Sequence, residues 1–185
     1  MKSSRIVMWA ILTAAALAGP FVHAEGNGIT LGNVSAAAKT NVIVPLMLEL
    51  ESEEVRVGSL SATIGYNANV ATFDRAEKGF LLDGVGGKIK ATPKVDGEKS
   101  SVHVEVVTEG EPRKPLRKGL ILSLIFKINE KAASDTRMPL LLSDAKMISP
   151  DAEPKPIEPL KLAAGEIQVL APENVPFVSC FFFTH

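Results

Sequence analysis

The sequence predicts an all-β sandwich of about nine short strands. Three observations carry this. Apolar and small polar residues alternate with period two in several segments. Turn-forming clusters separate those segments every eight to twelve residues or so. No segment holds a helical apolar period for more than about two turns.

The alternation is clearest in "VRVGSLSATIGY" (55–66). Leu60, Ala62, Ile64 and Tyr66 point one way; Ser59, Ser61, Thr63 and Gly65 point the other. That pattern belongs to a half-buried strand. "SVHVEVVT" (101–108) repeats it, with Val102, Val104 and Val106 inward and His103 and Glu105 outward. "GLILSLIFKIN" (119–129) is denser. Leu120, Leu122, Leu124, Phe126 and Ile128 share one face, and Ile121 and Ile125 partly fill the other. It reads as a central strand covered on both sides.

"NVIVPLMLEL" (41–50) and "RMPLLLSDAKMI" (137–148) are further strands. Pro45 and Pro139 place them at edges or strand starts, because proline donates nothing to a ladder. Shorter candidates are 28–32, 69–73, 87–92 and 165–170. "AAAKT" (36–40) and "NEKAASDT" (129–136) each suit a single helical turn.

The chain's ends carry a different grammar. "MKSSR" is basic, "IVMWAILTAAALAG" (6–19) is apolar, and Val22-His23-Ala24 offers the small residues read by a signal peptidase. The apolar run is shorter than the ~20 residues a spanning helix needs. Residues 1–24 are expected to be a cleaved signal peptide, 25–170 the sandwich domain, and 171–185 an unstructured tail. The protein is then exported, to the periplasm, the cell surface or the medium, with no transmembrane segment in the mature chain.

Cleavage removes two of 20 basic residues and none of 21 acidic ones, so the mature net charge is 18 − 21 = −3. Nothing in it resembles a nucleic-acid footprint, which needs a clustered basic face, and no nucleic-acid partner is expected. The single cysteine, Cys180, leaves no internal disulfide to hold the domain.

Catalytic patterns are missing. Beyond residue 24 only His103 and His185 remain, which leaves a Ser-His-Asp triad without an available base. No G-x-S-x-G elbow occurs. No H-x-x-x-H or C-x-x-C spacing suggests a metal site. "GVGG" (84–87) lacks the Lys-Ser/Thr and helix of a phosphate loop and reads as a hairpin turn. "PRKPLRKG" (112–119) and the acidic stretch 143–159 read as solvated loops. No cofactor is expected.

The order of four segments resembles the cohesin domain family. These are "VIVPLMLEL" (42–50), "VGSLSATIGYNANVATFDRAEKGFLL" (57–82), "GLILSLIFKINEKA" (119–132) and the closing "PLLLSDAKMISPDAEPKPIEPLKLAAGEIQV" (139–169). The family's Tyr-Asp-Pro turn is here Tyr66-Asn67-Ala68, and asparagine keeps the turn competence of aspartate. The resemblance implies a jelly-roll sandwich. It also implies a non-catalytic module that binds another protein, a dockerin-like module or an envelope component, through one sheet face. Ser59, Ser61, Thr63, His103 and Glu105 are the candidate contacts, and Tyr66 and Asn67 mark the fold.

The sandwich is shared with cellulose-type carbohydrate-binding modules, which makes polysaccharide binding the alternative. Those modules stack sugars on exposed aromatic rings. Here Trp9 precedes the predicted cleavage site, Tyr66 lies on an apolar strand face, and Phe73, Phe80 and Phe126 read as core.

Overall fold

The computed structural model describes residues 26–171. The expected signal peptide, Cys180 and nearly all of the expected tail lie outside the described residues.

Eleven strands and one short helix succeed one another: β1 (Gly28–Leu31), β2 (Asn33–Ala37), β3 (Asn41–Glu49), β4 (Ser59–Asn67), β5 (Ala71–Lys78), α1 (Phe80–Asp83), β6 (Lys88–Lys94), β7 (Lys99–Val107), β8 (Gly119–Ile128), β9 (Arg137–Ile148), β10 (Lys161–Ala163) and β11 (Gly165–Leu170). They form a five-stranded sheet, β10-β1-β3-β8-β5, and a six-stranded sheet, β2-β11-β9-β4-β7-β6. Only the β6–β7 hairpin joins neighbours within one sheet; every other connection passes between sheets.

The core fills the space between the two inner faces. Val44, Leu46 and Leu48 from β3, Ile64 from β4, Val102, Val104 and Val106 from β7, and Leu124, Phe126 and Ile128 from β8 are fully buried. Each such aliphatic or aromatic side chain contributes roughly 1.5–3 kcal/mol by leaving water. Phe126 receives Tyr66 and Phe73 edge-on, at centroid distances of 5.2 and 5.6 Å.

Two strands exceed the expected nine. β2 and β10 are short and belong to a pairing of the two ends of the described segment. β1 runs parallel to β10, and β2 parallel to β11, in a constant register from Gly28↔Lys161 to Leu170↔Ala37. Both ends change sheets together, near Gly32 and Gly165. A Cβ at Gly165 would lie 2.5 Å from the Gly32 carbonyl oxygen and 2.7 Å from Leu31 Cβ. Only a residue without a side chain lets the two backbones meet there.

Several expectations are corrected. Pro45 sits in a central strand, not an edge. Its carbonyl accepts from the Gly32 N–H at 3.0 Å, on the side where β1 turns away, so the missing proline donor has no ladder partner to lose. Pro139 lies near the start of β9, as expected. "AAAKT" is not a helical turn: Ala36 and Ala37 finish β2, and Lys39 takes a positive φ of 68°. "NEKAASDT" is likewise a non-helical turn, with Asp135 at φ 62°.

Leu120 leaves the core face. The register slips between Leu46↔Leu122 and Met47↔Leu120, so β8 carries a bulge at Ile121. The bulge turns Ile121 inward, where it is fully buried. Phe80 is no core residue either; it is 76% exposed because α1 aims Leu82 inward in its place. "GVGG" links α1 to β6 rather than forming a hairpin, and the Gly87 N–H donates to the Leu82 carbonyl at 2.7 Å.

Candidate binding face

The outer face of the six-stranded sheet gathers all five candidate residues. Their strand neighbours Leu60, Ala62, Ile64, Val102, Val104 and Val106 are at most 2% exposed and point into the core. Alternation therefore turns Ser59, Ser61, Thr63, His103 and Glu105 to the opposite side. β4 and β7 pair antiparallel, with Ser61 opposite Glu105 and Thr63 opposite His103.

β6 and β9 extend these pairs into rows. One row runs Thr92, His103, Thr63, Ser143; the next runs Lys90, Glu105, Ser61, Lys146. A third places Lys94, Ser101, Gly65 and Leu141 side by side, and Ser59 falls in a fourth with Lys88, Val107 and Ile148. The face is thus a polar centre with an apolar flank. Leu141 is 61% exposed beside Gly65, which presents no side chain to cover it.

The polar centre is internally bonded. Thr63 Oγ1 and His103 Nδ1 share a hydrogen bond of 3.0 Å. His103 Nε2 lies 3.6 Å from Glu105 Oε1, and Lys90 Nζ lies 3.9 Å from Glu105 Oε2. A proton on Nε2 faces the carboxylate and leaves Nδ1 to accept from the Thr63 hydroxyl, so one tautomer satisfies both contacts. These side chains are partly or largely exposed, and each pair alone contributes little stability. Their arrangement instead sets a pattern of donors and acceptors on the open face of the sheet.

β9 contributes residues that alternation alone did not reveal. Met138, Leu140 and Leu142 face the core before residue 143; Ala145 and Met147 do so after it. The phase changes because Ala62 faces an extra residue between Ser143 and Lys146. Asp144 sits at that bulge with φ 49°, and the Ser143 hydroxyl donates to its Oδ2 at 3.2 Å. The bulge puts both Ser143 and Lys146 on the outer face. Asp144 is therefore part of a strand, not of the acidic loop. Lys90 and Thr92 had a signal in "KIKAT", whose alternation aims them outward.

β6 is an edge strand of this sheet, on the side of the candidate residues. Lys88, Lys90, Pro93 and Lys94 line it, a composition that blocks edge-to-edge pairing with another sheet.

Tyr66 and Asn67 lie at the end of β4. Tyr66 is 6% exposed, its ring turned into the core against Phe126. It offers no stacking platform. Asn67 builds the turn: its Oδ1 accepts from the Asn69 N–H at 2.8 Å, and its carbonyl accepts from the Val70 N–H at 3.1 Å. Asn129 Nδ2 donates to the Ala68 carbonyl at 2.7 Å and clamps the same turn from β8's end. These amides, rather than the Tyr66 hydroxyl, hold the turn's polar backbone.

The sequence model of the cohesin domain matches residues 28–169. The chain belongs to the cohesin domain family. Cohesin domains are non-catalytic protein-binding modules, and this chain is one of them. Solved structures share its fold. The sixth cohesin of scaffoldin B from Acetivibrio cellulolyticus, in complex with a mutant Cel5 dockerin, is 18% identical, with a TM-score of 0.62 over 78% of this chain and 99% of that one. A non-cellulosomal cohesin from the archaeon Archaeoglobus fulgidus is 16% identical, with a TM-score of 0.61 over 80% and 94%. A cohesin from Clostridium acetobutylicum, solved in solution, is 20% identical, with a TM-score of 0.57 over 79% and 92%. Comparison with curated proteins finds no match. Among the described residues no helix is long and apolar enough to cross a membrane.

Proposed function

We propose that this cohesin domain is an exported module that recognises one protein partner through the outer face of its six-stranded sheet. Ser59, Ser61, Thr63, His103 and Glu105 are the contacts at its centre, with Lys90, Ser143, Lys146 and Leu141 around them. The observation that carries this reading is the Thr63–His103 hydrogen bond beside the Glu105 carboxylate and the Lys90 ammonium, on a sheet face that also bears an exposed Leu141. A polar pattern beside an apolar anchor suits a specific protein contact.

A dockerin-like module is the partner class favoured. Support comes from family membership and from relatives captured as cohesin–dockerin complexes, in Acetivibrio cellulolyticus and Clostridium thermocellum. An envelope component is the other outcome, given a relative described as non-cellulosomal. Export rests on the leader grammar of residues 1–24, and the jelly-roll path on the passage of successive strands between sheets.

The test is capture from the producing cell's exported proteins by the immobilised mature chain. A single partner retained by the native chain and lost by a His103→Ala, Glu105→Lys variant with an unchanged far-ultraviolet spectrum is expected. Equal retention by both would refute this face as the contact.

A further inference from the structure

A second surface lies outside that face. The segment after β3 and the segment before β8 meet at an antiparallel bridge, Val57↔Leu116, closed by a 2.7 Å hydrogen bond from the Leu116 N–H to the Val57 carbonyl. Val57 and Leu116 are buried, at 0% and 2% exposure. Their neighbours Arg56 and Arg117 therefore alternate outward. One step beyond an antiparallel bridge, their backbone positions lie opposite each other.

Two like charges placed opposite across a pair of strands are unfavourable. Among the described residues no ion pair engages Arg56, Arg117 or the adjacent Lys118. All three line an open groove of about 700 Å³. Leu50 and Val55, both part-exposed, add apolar side chains to its lining. Glu51 and Glu53 border it as well, and they too are unpaired.

We propose that Arg56 and Arg117 form a clamp for a carboxylate carried by an acidic polypeptide segment seated in this groove. A guanidinium fork matches a carboxylate in two parallel hydrogen bonds, and two forks facing each other hold one such group from both sides. The anion removes the repulsion that the empty pair carries. The remaining lining selects the ligand class. Leu50 and Val55 favour a chain with apolar side chains between its acidic ones. Glu51 and Glu53 repel a polymer charged at every unit, such as a polyuronate. A polypeptide meets both conditions. None of these residues belongs to the face around His103, so this site stands or falls separately.

The test titrates the full mature chain, labelled for backbone amide spectra, with a short capped peptide alternating leucine and glutamate. Shifts confined to residues 50–57 and 115–118, fading as salt is raised, are expected. Arg56→Glu with Arg117→Glu should weaken binding by about tenfold or more, the loss of charge-assisted hydrogen bonds. Arg56→Lys with Arg117→Lys keeps the charge but not the fork, and should fall between. Absence of shifts at millimolar peptide would overturn the proposal. So would equal binding of a leucine–lysine peptide, tighter binding of polyglucuronate, or shifts centred on Thr63 and His103 instead.

Discussion

Thr63 and His103 are bonded to each other across the two central strands of a solvent-facing surface, Thr63 Oγ1 to His103 Nδ1 at 3.0 Å. The bond ties β4 to β7 on the side away from the core. A double-mutant cycle with Thr63→Ala and His103→Ala should return a coupling of roughly 0.5–1 kcal/mol in urea unfolding, as expected for a half-exposed cross-strand pair. Each single variant should stay folded. A coupling indistinguishable from zero would mean that the two side chains act independently.

The sheet-changing corner is a sharper test of the fold. Gly165→Ala drives a Cβ to within 2.5 Å of the Gly32 carbonyl oxygen, which is backbone and cannot swing aside. The variant should lose about 1–3 kcal/mol of stability, the usual cost of overpacking. A midpoint of denaturation equal to the native one would show that the corner relaxes freely.

Tyr66 separates ring from hydroxyl. Tyr66→Ala removes a buried ring packed edge-on to Phe126 at 5.2 Å and should cost about 3–5 kcal/mol. Tyr66→Phe should cost less than about 1 kcal/mol, since Asn67 and Asn129 supply the turn's polar bonds. Thermal unfolding of the two variants distinguishes packing from hydrogen bonding.

Lys88 and Glu109 link β6 to the segment after β7 through a 2.9 Å ion pair. The Glu109 hydrogen bond raises the Lys88 pKa above its ordinary 10.5, and the Lys88 hydrogen bond lowers that of Glu109 below its ordinary 4.5. A lowered carboxylate stabilises above 4.5 and loses that contribution as pH falls through its folded value. A raised ammonium stabilises below 10.5 and loses it as pH rises through its folded value. Both groups are exposed, so the effect is small and screened by salt. Melting temperatures of the native chain and Glu109→Gln should differ slightly near neutral pH and converge in acid. A difference that persists well below pH 4.5 would assign it to another cause.

Much of the sandwich is legible in the sequence because half-buried strands write their burial as alternation. β4 and β7 do so without interruption, and they carry the five candidate contacts. The features that alternation hides have local causes. Bulges at Asp74, Ile121 and Asp144–Ala145 insert one residue and reverse the phase of the residues beyond them. Leu120 and Lys146 therefore fall on faces that a strict period of two does not assign them. β2, with the sequence NVSAA, and β10, with KLA, bear little apolar signal. They exist because the first and last strands of the described segment meet, a contact more than 130 residues apart in sequence. Phe80 looks like core in an apolar run, but one turn of helix hands that role to Leu82. Arg56 and Arg117 lie in separate loops, and only the Val57↔Leu116 bridge makes them neighbours.

The most direct test of the central claim is the backbone amide map of the mature chain titrated with its captured partner. Perturbations centred on Ser61, Thr63, His103 and Glu105, spreading to Lys90 and Leu141, are the result expected of a partner on the six-stranded sheet. Perturbations centred on Asn41–Glu49 and Gly119–Ile128, with β4 and β7 silent, would contradict it.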